Sequence, residues 1–286
     1  MKTWQHIKVN PVAGSLGAEV DGVSLANLSD AVFAELRAAF LEYQVLFFND
    51  QNLTRDEQKE FARRFGRLHV HPFEQPLKRE GHPEIIVFKS HEQFPFVSGV
   101  WHTDATFLAE PPFASILRCV VAPEFGGDTI WSSMYAAYDA LSDKMQRKLS
   151  DLVAVHDTGR AFAVAAYRKE EVSGENPLKM VSAEHPVVLI HPETRRKALY
   201  VNSHFTSSIK GMKPAESAAL LRFLFTHIET SDFSCRFRWR ANSVAMWDNR
   251  CTSTGPSPTI SKRRVIWSVS RFSHLQIEAC AGSTSK

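Results

Sequence analysis

Short apolar runs of strand character, each bounded by turn residues, constrain the fold of this chain more than any other feature. "EIIVF", "ASILRCVV", "HPVVLIH", "ALYVN", "SCRFRWR" and "SVAMWD" are rich in β-branched and aromatic residues. Helical segments are fewer. "LSDAVFAELRAAFLEYQ" starts at a capping Ser29 and runs directly into "VLFF", a buried-strand pattern. "LTRDEQKEFARRFG" sets Thr54 three residues before Glu57, a capping box, and stops at Gly66. A third helix is predicted in "SMYAAYDALSDKMQRKLSDL", broken near Ser142, and a fourth after Pro214 in "PAESAALLRFLFTHIET". Many strands with a few helices on one side predict a mainly β fold with helical insertions, a sandwich or a barrel.

At 286 residues and 44% hydrophobic, the chain can bury a full core, and no repeat or linker divides it, so one domain over 1–286 is expected. Its 34 basic and 31 acidic residues are too balanced for a nucleic-acid or membrane surface, so any anionic ligand must be held locally. "MKTWQHIKVNPVAG" has no apolar signal core, and no run approaches the ~18 residues of a membrane span, which predicts a soluble, cytoplasmic protein. Cys119, Cys235, Cys251 and Cys280 show no close pairing and read as reduced packing residues.

The first chemical motif is "VWHTDATF". If it is a strand or a strand end, period-two geometry turns His102 and Asp104 the same way, two vertices of a 2-His-1-carboxylate face. Among 12 histidines an H-x-D pair alone is a weak signal, and a surface His–Asp pair is the other reading. Downstream come "GGDT" and then "WDNR". These three landmarks, in this order, resemble the taurine dioxygenase family of Fe(II)- and 2-oxoglutarate-dependent enzymes, from about "AGSLGAEVDGVSL" through Arg250.

The resemblance implies a double-stranded β-helix, or jelly roll, with the metal in its mouth. It makes His102 and Asp104 iron ligands and gives Thr129 a contact to 2-oxoglutarate; for Thr129 an ordinary turn cap is the other reading. It implies O2 and a small anionic organic substrate as partners, and a homo-oligomer is expected. It also demands a third ligand, a histidine seven residues after Trp247, with arginines eleven and fifteen residues further on for 2-oxoglutarate and the substrate anion.

Those three slots hold Thr254, Val265 and Val269. A single cause would account for all three. If Thr252 to Pro256 is encoded ACC AGC ACC GGG CC and one more base, a shift by one nucleotide reads Gln-His-Arg-Ala and brings the histidine to position 254. Permitted codons then return both arginines at 265 and 269, and residues from about 273 to 286 become a non-native or disordered tail. Divergence to a metal-poor relative is the alternative, and with it a catalytically silent jelly-roll binding protein. Arg264 adjoins the missing 2-oxoglutarate arginine, although one step along a strand reverses its side chain.

For the substrate, His71 in "RLHVHPFEQP" occupies the position of the family's anion-contacting histidine. Glu74 and Ser98 replace the tyrosine and asparagine of the taurine pattern. Apolar neighbours in "FPFVSGVW" predict a bulkier substrate than taurine, such as an alkyl sulfate, an alkyl or aryl sulfonate or an aryloxyalkanoate.

Overall fold

The computed structural model describes residues 3–72, 81–90, 100–159, 180–256, 265–273 and 278–279. Glu74, Ser98, Arg264 and Cys280 lie outside them. The strands are β1 (Lys8–Pro11), β2 (Ala18–Asp21), β3 (Val45–Phe48), β4 (Arg67–His69), β5 (Ile85–Ser90), β6 (Ala114–Val121), β7 (Thr129–Ser133), β8 (Val153–Asp157) and β9 (Ser182–Pro186). They continue with β10 (Val188–Ile190), β11 (Lys197–Leu199), β12 (Thr206–Ile209), β13 (Ser234–Phe237), β14 (Val244–Asp248), β15 (Thr252–Pro256), β16 (Val265–Ser273) and β17 (Glu278–Ala279). The helices are α1 (Asp30–Tyr43), α2 (Arg55–Arg63), α3 (Met134–Asp139), α4 (Asp143–Leu149) and α5 (Pro214–Ile228).

One eight-stranded sheet runs β1-β2-β3-β14-β6-β16-β4, with β5 also on β16. Three smaller sheets, β13-β7-β15, β12-β8-β9 and β11-β10-β17, complete a jelly roll with helical insertions. The strand "VLFF" lacks polar alternation because both of its faces are covered. Leu46 and Phe48 pack with Leu36 and Phe40 of α1 and Phe61 of α2, while Val45 and Phe47 face inward onto Trp131, Phe237 and Trp247.

The helices do not lie on one side as expected. α1 and α2 cover the large sheet, whereas Met134 of α3 and Leu220 and Leu224 of α5 bury themselves against Val188 and Leu199 of a small sheet. Each sheet has an apolar outer face that needs its own cover.

The predicted caps are present. Val32 N–H donates to Ser29 Oγ, and Thr54 and Glu57 exchange both capping-box bonds, at 3.2 and 2.7 Å. The third helix is interrupted at Ser142, which caps α4 by accepting from Met145 N–H. "ALYVN" is a strand only to Leu199, and the residues from Tyr200 to Phe205 form a loop instead. Within the segment expected to be a tail, Glu278 and Ala279 pair with Ile190 and Leu189. Cys119, Cys235 and Cys251 are buried free thiols. No helix among the described residues is long and apolar enough to cross a membrane.

Candidate metal centre

"VWHTDATF" is a turn attached to the barrel by one bridge, not a strand. His102 N–H donates to Thr254 O at 2.9 Å and Thr254 N–H donates to His102 O at 2.7 Å, an isolated antiparallel pair. The chain then bends sharply, with Ala105 at φ +51°, a conformation that costs a β-carbon about 1–2 kcal/mol. His102 and Asp104 therefore converge through a turn, and His102 Nε2 stands 3.8 Å from Asp104 Oδ1.

Both side chains are oriented by their neighbours. His102 Nδ1 lies 3.1 Å from Val100 O, a contact that places the ring hydrogen there and leaves the Nε2 lone pair facing Asp104. Ser115 donates to Asp104 Oδ2 at 2.5 Å, Asn249 Nδ2 donates to Ser115 Oγ at 3.0 Å, and Trp247 Nε1 donates to Asn249 Oδ1 at 3.0 Å. Two residues of WDNR thus hold the carboxylate through Ser115. The motif marks Trp247 and Asn249, but nothing in the sequence marks Ser115.

The other two WDNR residues build a buried ion pair. Arg250 Nε and Nη2 donate to Asp248 at 2.8 and 2.6 Å, His191 Nε2 lies 3.0 Å from Asp248 Oδ2, and Arg250 also pairs with Glu193 at 3.0 Å. Burial pushes the Asp248 carboxyl up, but Arg250 and then His191 outweigh it and hold it well below the usual carboxylate range. His191, Asp248 and Cys251 form the one cluster of three close metal-type donors among the described residues. It is not a free metal site. His191 Nδ1 accepts from the Glu193 and Thr194 amides, its Nε2–H goes to Asp248, and Asp248 is occupied by Arg250.

Antiparallel partners project from the same face of a sheet, so the buried Thr254 presents its hydroxyl beside His102. Position 254, the slot of the expected third ligand, is thus beside His102 and carries a neutral hydroxyl. An imidazole and a carboxylate, each oriented by a neighbouring hydrogen bond, are donors that suit Fe(II); Thr254 does not complete the face. The residues thus fit two of three vertices.

Thr129 lies on β7, on the face shared with Trp131, the partner of Thr254 across β15. Its Oγ1 accepts from Trp239 Nε1 at 2.9 Å. Val269 is buried, and its neighbours Ser268 and Ser270 bond outward to Gln58 of α2 at 3.1 and 3.0 Å, so position 269 faces the interior. His71 is brought to the same region. Its ring is 6.1 Å from that of Phe107, which is 5.1 Å from Phe205, in a small apolar cluster with Ala105. Sequence reasoning missed Phe205 and the loop that carries it.

Behind the turn lies a buried polar cluster. Thr106 Oγ1 is 2.9 Å from His156 Nδ1 and accepts from Asn202 Nδ2 at 3.1 Å, while His185 Nε2 lies 2.8 Å from Thr106 O. Burial pushes His156 down to about 3 and lowers His185 as well. Below the unfolded value near 6.5, the unfolded chain gains protons that the fold refuses. Stability is full above that pH and falls as pH drops toward 3, by about 1.4 kcal/mol per unit for His156, and His185 acts in the same direction. Urea midpoints at pH 7.5 and 5.5 check this, with His156→Gln expected to flatten the slope. Equal slopes in both chains would remove His156 from the account.

The sequence model of the taurine catabolism dioxygenase TauD, TfdA family matches residues 8–268. The chain is 34% identical to an alpha-ketoglutarate-dependent sulfonate dioxygenase of Saccharomyces cerevisiae over 86% of its own length and 61% of that protein's. It is 35% identical to an alpha-ketoglutarate-dependent sulfate ester dioxygenase of Pseudomonas putida, covering 90% of this chain and 88% of the relative. The crystal structure of a taurine dioxygenase from Burkholderia xenovorans superposes with a TM-score of 0.80 at 33% identity, covering 96% and 93% of the two chains.

Proposed function

This chain belongs to the TauD, TfdA family of alpha-ketoglutarate-dependent dioxygenases, and from that premise we propose that it acts on a carbon next to the anionic group of a small sulfonate, sulfate ester or carboxylate. Such enzymes are oxidoreductases that use Fe(II) and 2-oxoglutarate. When bound, the two cofactors supply the O2-derived oxidant for a substrate C–H bond. The observation that carries the reading is the convergence of His102, Asp104 and position 254 at the end of the barrel.

The chain's own residues bind and orient. His102 and Asp104 hold the metal, Thr129 lies on the 2-oxoglutarate side, and Arg264 is the remaining arginine candidate beside position 265. His71 offers a hydrogen bond to the anionic head, with Ser98 as the second candidate for that role. Phe107 and Phe205 form an apolar wall beside His71 that favours an alkyl or aryl body. With these residues the chain is impaired. Thr254 contributes no third donor of comparable strength, and Val265 and Val269 cannot pair with carboxylate or sulfonate. A single-nucleotide displacement after Thr252 accounts for all three departures, and the coding strand decides it: a stop, or no histidine, in the shifted frame would leave divergence as the cause. The same gap supports a second reading, a silent binding protein whose ligand affinity is indifferent to metal.

Succinate release tests substrate choice in any chain whose metal face is complete. A long alkyl sulfate is expected to stimulate 2-oxoglutarate turnover more than taurine, because each additional buried CH2 adds about 0.8 kcal/mol, roughly fourfold in affinity. A clear preference for taurine would refute the pocket assignment.

A further inference from the structure

Along one edge of β16 the large sheet changes partner. β16 pairs with β5 up to Ser270, which lies opposite Ile85, and with β4 from Arg271, which lies opposite His69. Two strands thus share one edge end to end, and the chain before β5 must leave the sheet where β4 occupies it. Beside this junction, at the end of α2, the surface holds an open cleft of about 470 Å³ lined by Arg63, Gly66, Arg67, Leu68 and Glu84.

The charges in this cleft are unequally satisfied. Arg63 pairs with Glu60, one turn earlier on α2. Arg67 is exposed, and no ion pair among the described residues includes it. Glu84, the residue before β5, has its Oε2 buried with no hydrogen-bond partner among the described residues. A carboxylate oxygen removed from water needs a donor in exchange, so such an atom in a cleft marks where a donor belongs. Arg67 does not fill that role. It lies opposite Ser273, three residues along β16 from the partner of Ile85, which sets the two backbones about 10 Å apart at ~3.3 Å per residue. Leu68, packed at the margin of the core, supplies an apolar wall.

We propose that this cleft binds a small zwitterion of the amino-acid class. Its ammonium group donates to Glu84 Oε2, its acid group pairs with Arg67, and a short aliphatic side chain lies on Leu68. Both ends are then charge-assisted contacts, the strong kind. A simple anion would meet the like charge of Glu84, and a simple cation would meet Arg63 and Arg67, so a ligand carrying both charges is selected over either half. No covalent bond is made or broken, and binding requires neither a metal nor 2-oxoglutarate.

Leucine is the probe, titrated into the full chain by calorimetry, with 4-methylpentanoate and leucinamide as its two halves. Each half is expected to bind about tenfold or more weakly than leucine, the loss of one charge-assisted contact. Glu84→Gln and Arg67→Gln should each weaken leucine by a similar factor, with an unchanged far-ultraviolet circular dichroism spectrum showing that the fold is retained. No binding of leucine to the parent chain overturns the proposal. So does leucine affinity that survives either substitution, which would place the ligand elsewhere, or 4-methylpentanoate that binds as tightly as leucine, which would make the cleft a plain anion site.

Discussion

Thr254→His combined with Val265→Arg and Val269→Arg is expected to turn a weak metal site into one that retains iron through dialysis and takes up 2-oxoglutarate. Position 254 is hydrogen-bonded to His102 through both backbone amides, so an imidazole there starts from the same face as His102. The affinity gain is expected to be on the order of 100-fold, at least as large as the effect of an outer-shell partner in other metal sites. Each arginine adds a charge-assisted pair with a carboxylate or sulfonate worth about 1.5–3 kcal/mol. The buried, inward-facing Val269 already occupies a suitable direction. The checks are iron content after dialysis, the visible charge-transfer band on adding 2-oxoglutarate, and O2 consumption with substrate. Stoichiometric iron in the unmodified chain under the same dialysis would show that Thr254 is no impediment.

Asp248→Asn is expected to destabilise the fold by about 3–5 kcal/mol, the usual consequence of removing one partner from a buried ion pair. Arg250 is almost fully buried and directs two nitrogens at this carboxylate, with its ring-facing side over Phe113 at 4.5 Å. Glu193, which is partly exposed, cannot neutralise it equally. Histidine geometry adds to the cost. His191 needs Nδ1 unprotonated to accept two amides and must therefore donate from Nε2, so an asparagine NH2 turned toward it would oppose donor with donor. Urea denaturation at pH 7.5 gives the measurement, and a loss below about 1 kcal/mol would show that this pair does not hold the turn after β14.

The elements of the fold were legible where local chemistry is decisive. The Ser29 and Thr54 caps, the break at Ser142 and the strands β5, β6, β13 and β14 follow from side chains acting on their own backbone or from alternation forced by a covered sheet. His102 and Asp104 were legible because a two-residue spacing and three motifs in order constrain each other. Their reason for meeting was misread: period two on a strand was expected, whereas a bridge to Thr254 and the left-handed Ala105 bring them together. The short β-branched and aromatic runs determined a mainly β fold with helical insertions, and the short motifs singled out His102, Asp104 and the departure at Thr254. Only the tertiary structure decided that Ser115 supports Asp104, that Asp248 and Arg250 are a structural pair, that His204 stands beside His102 and that Phe205 stands beside Phe107. Most of those contacts join residues far apart along the chain. Their distance is set by how separate strands and loops pack, which no local pattern encodes.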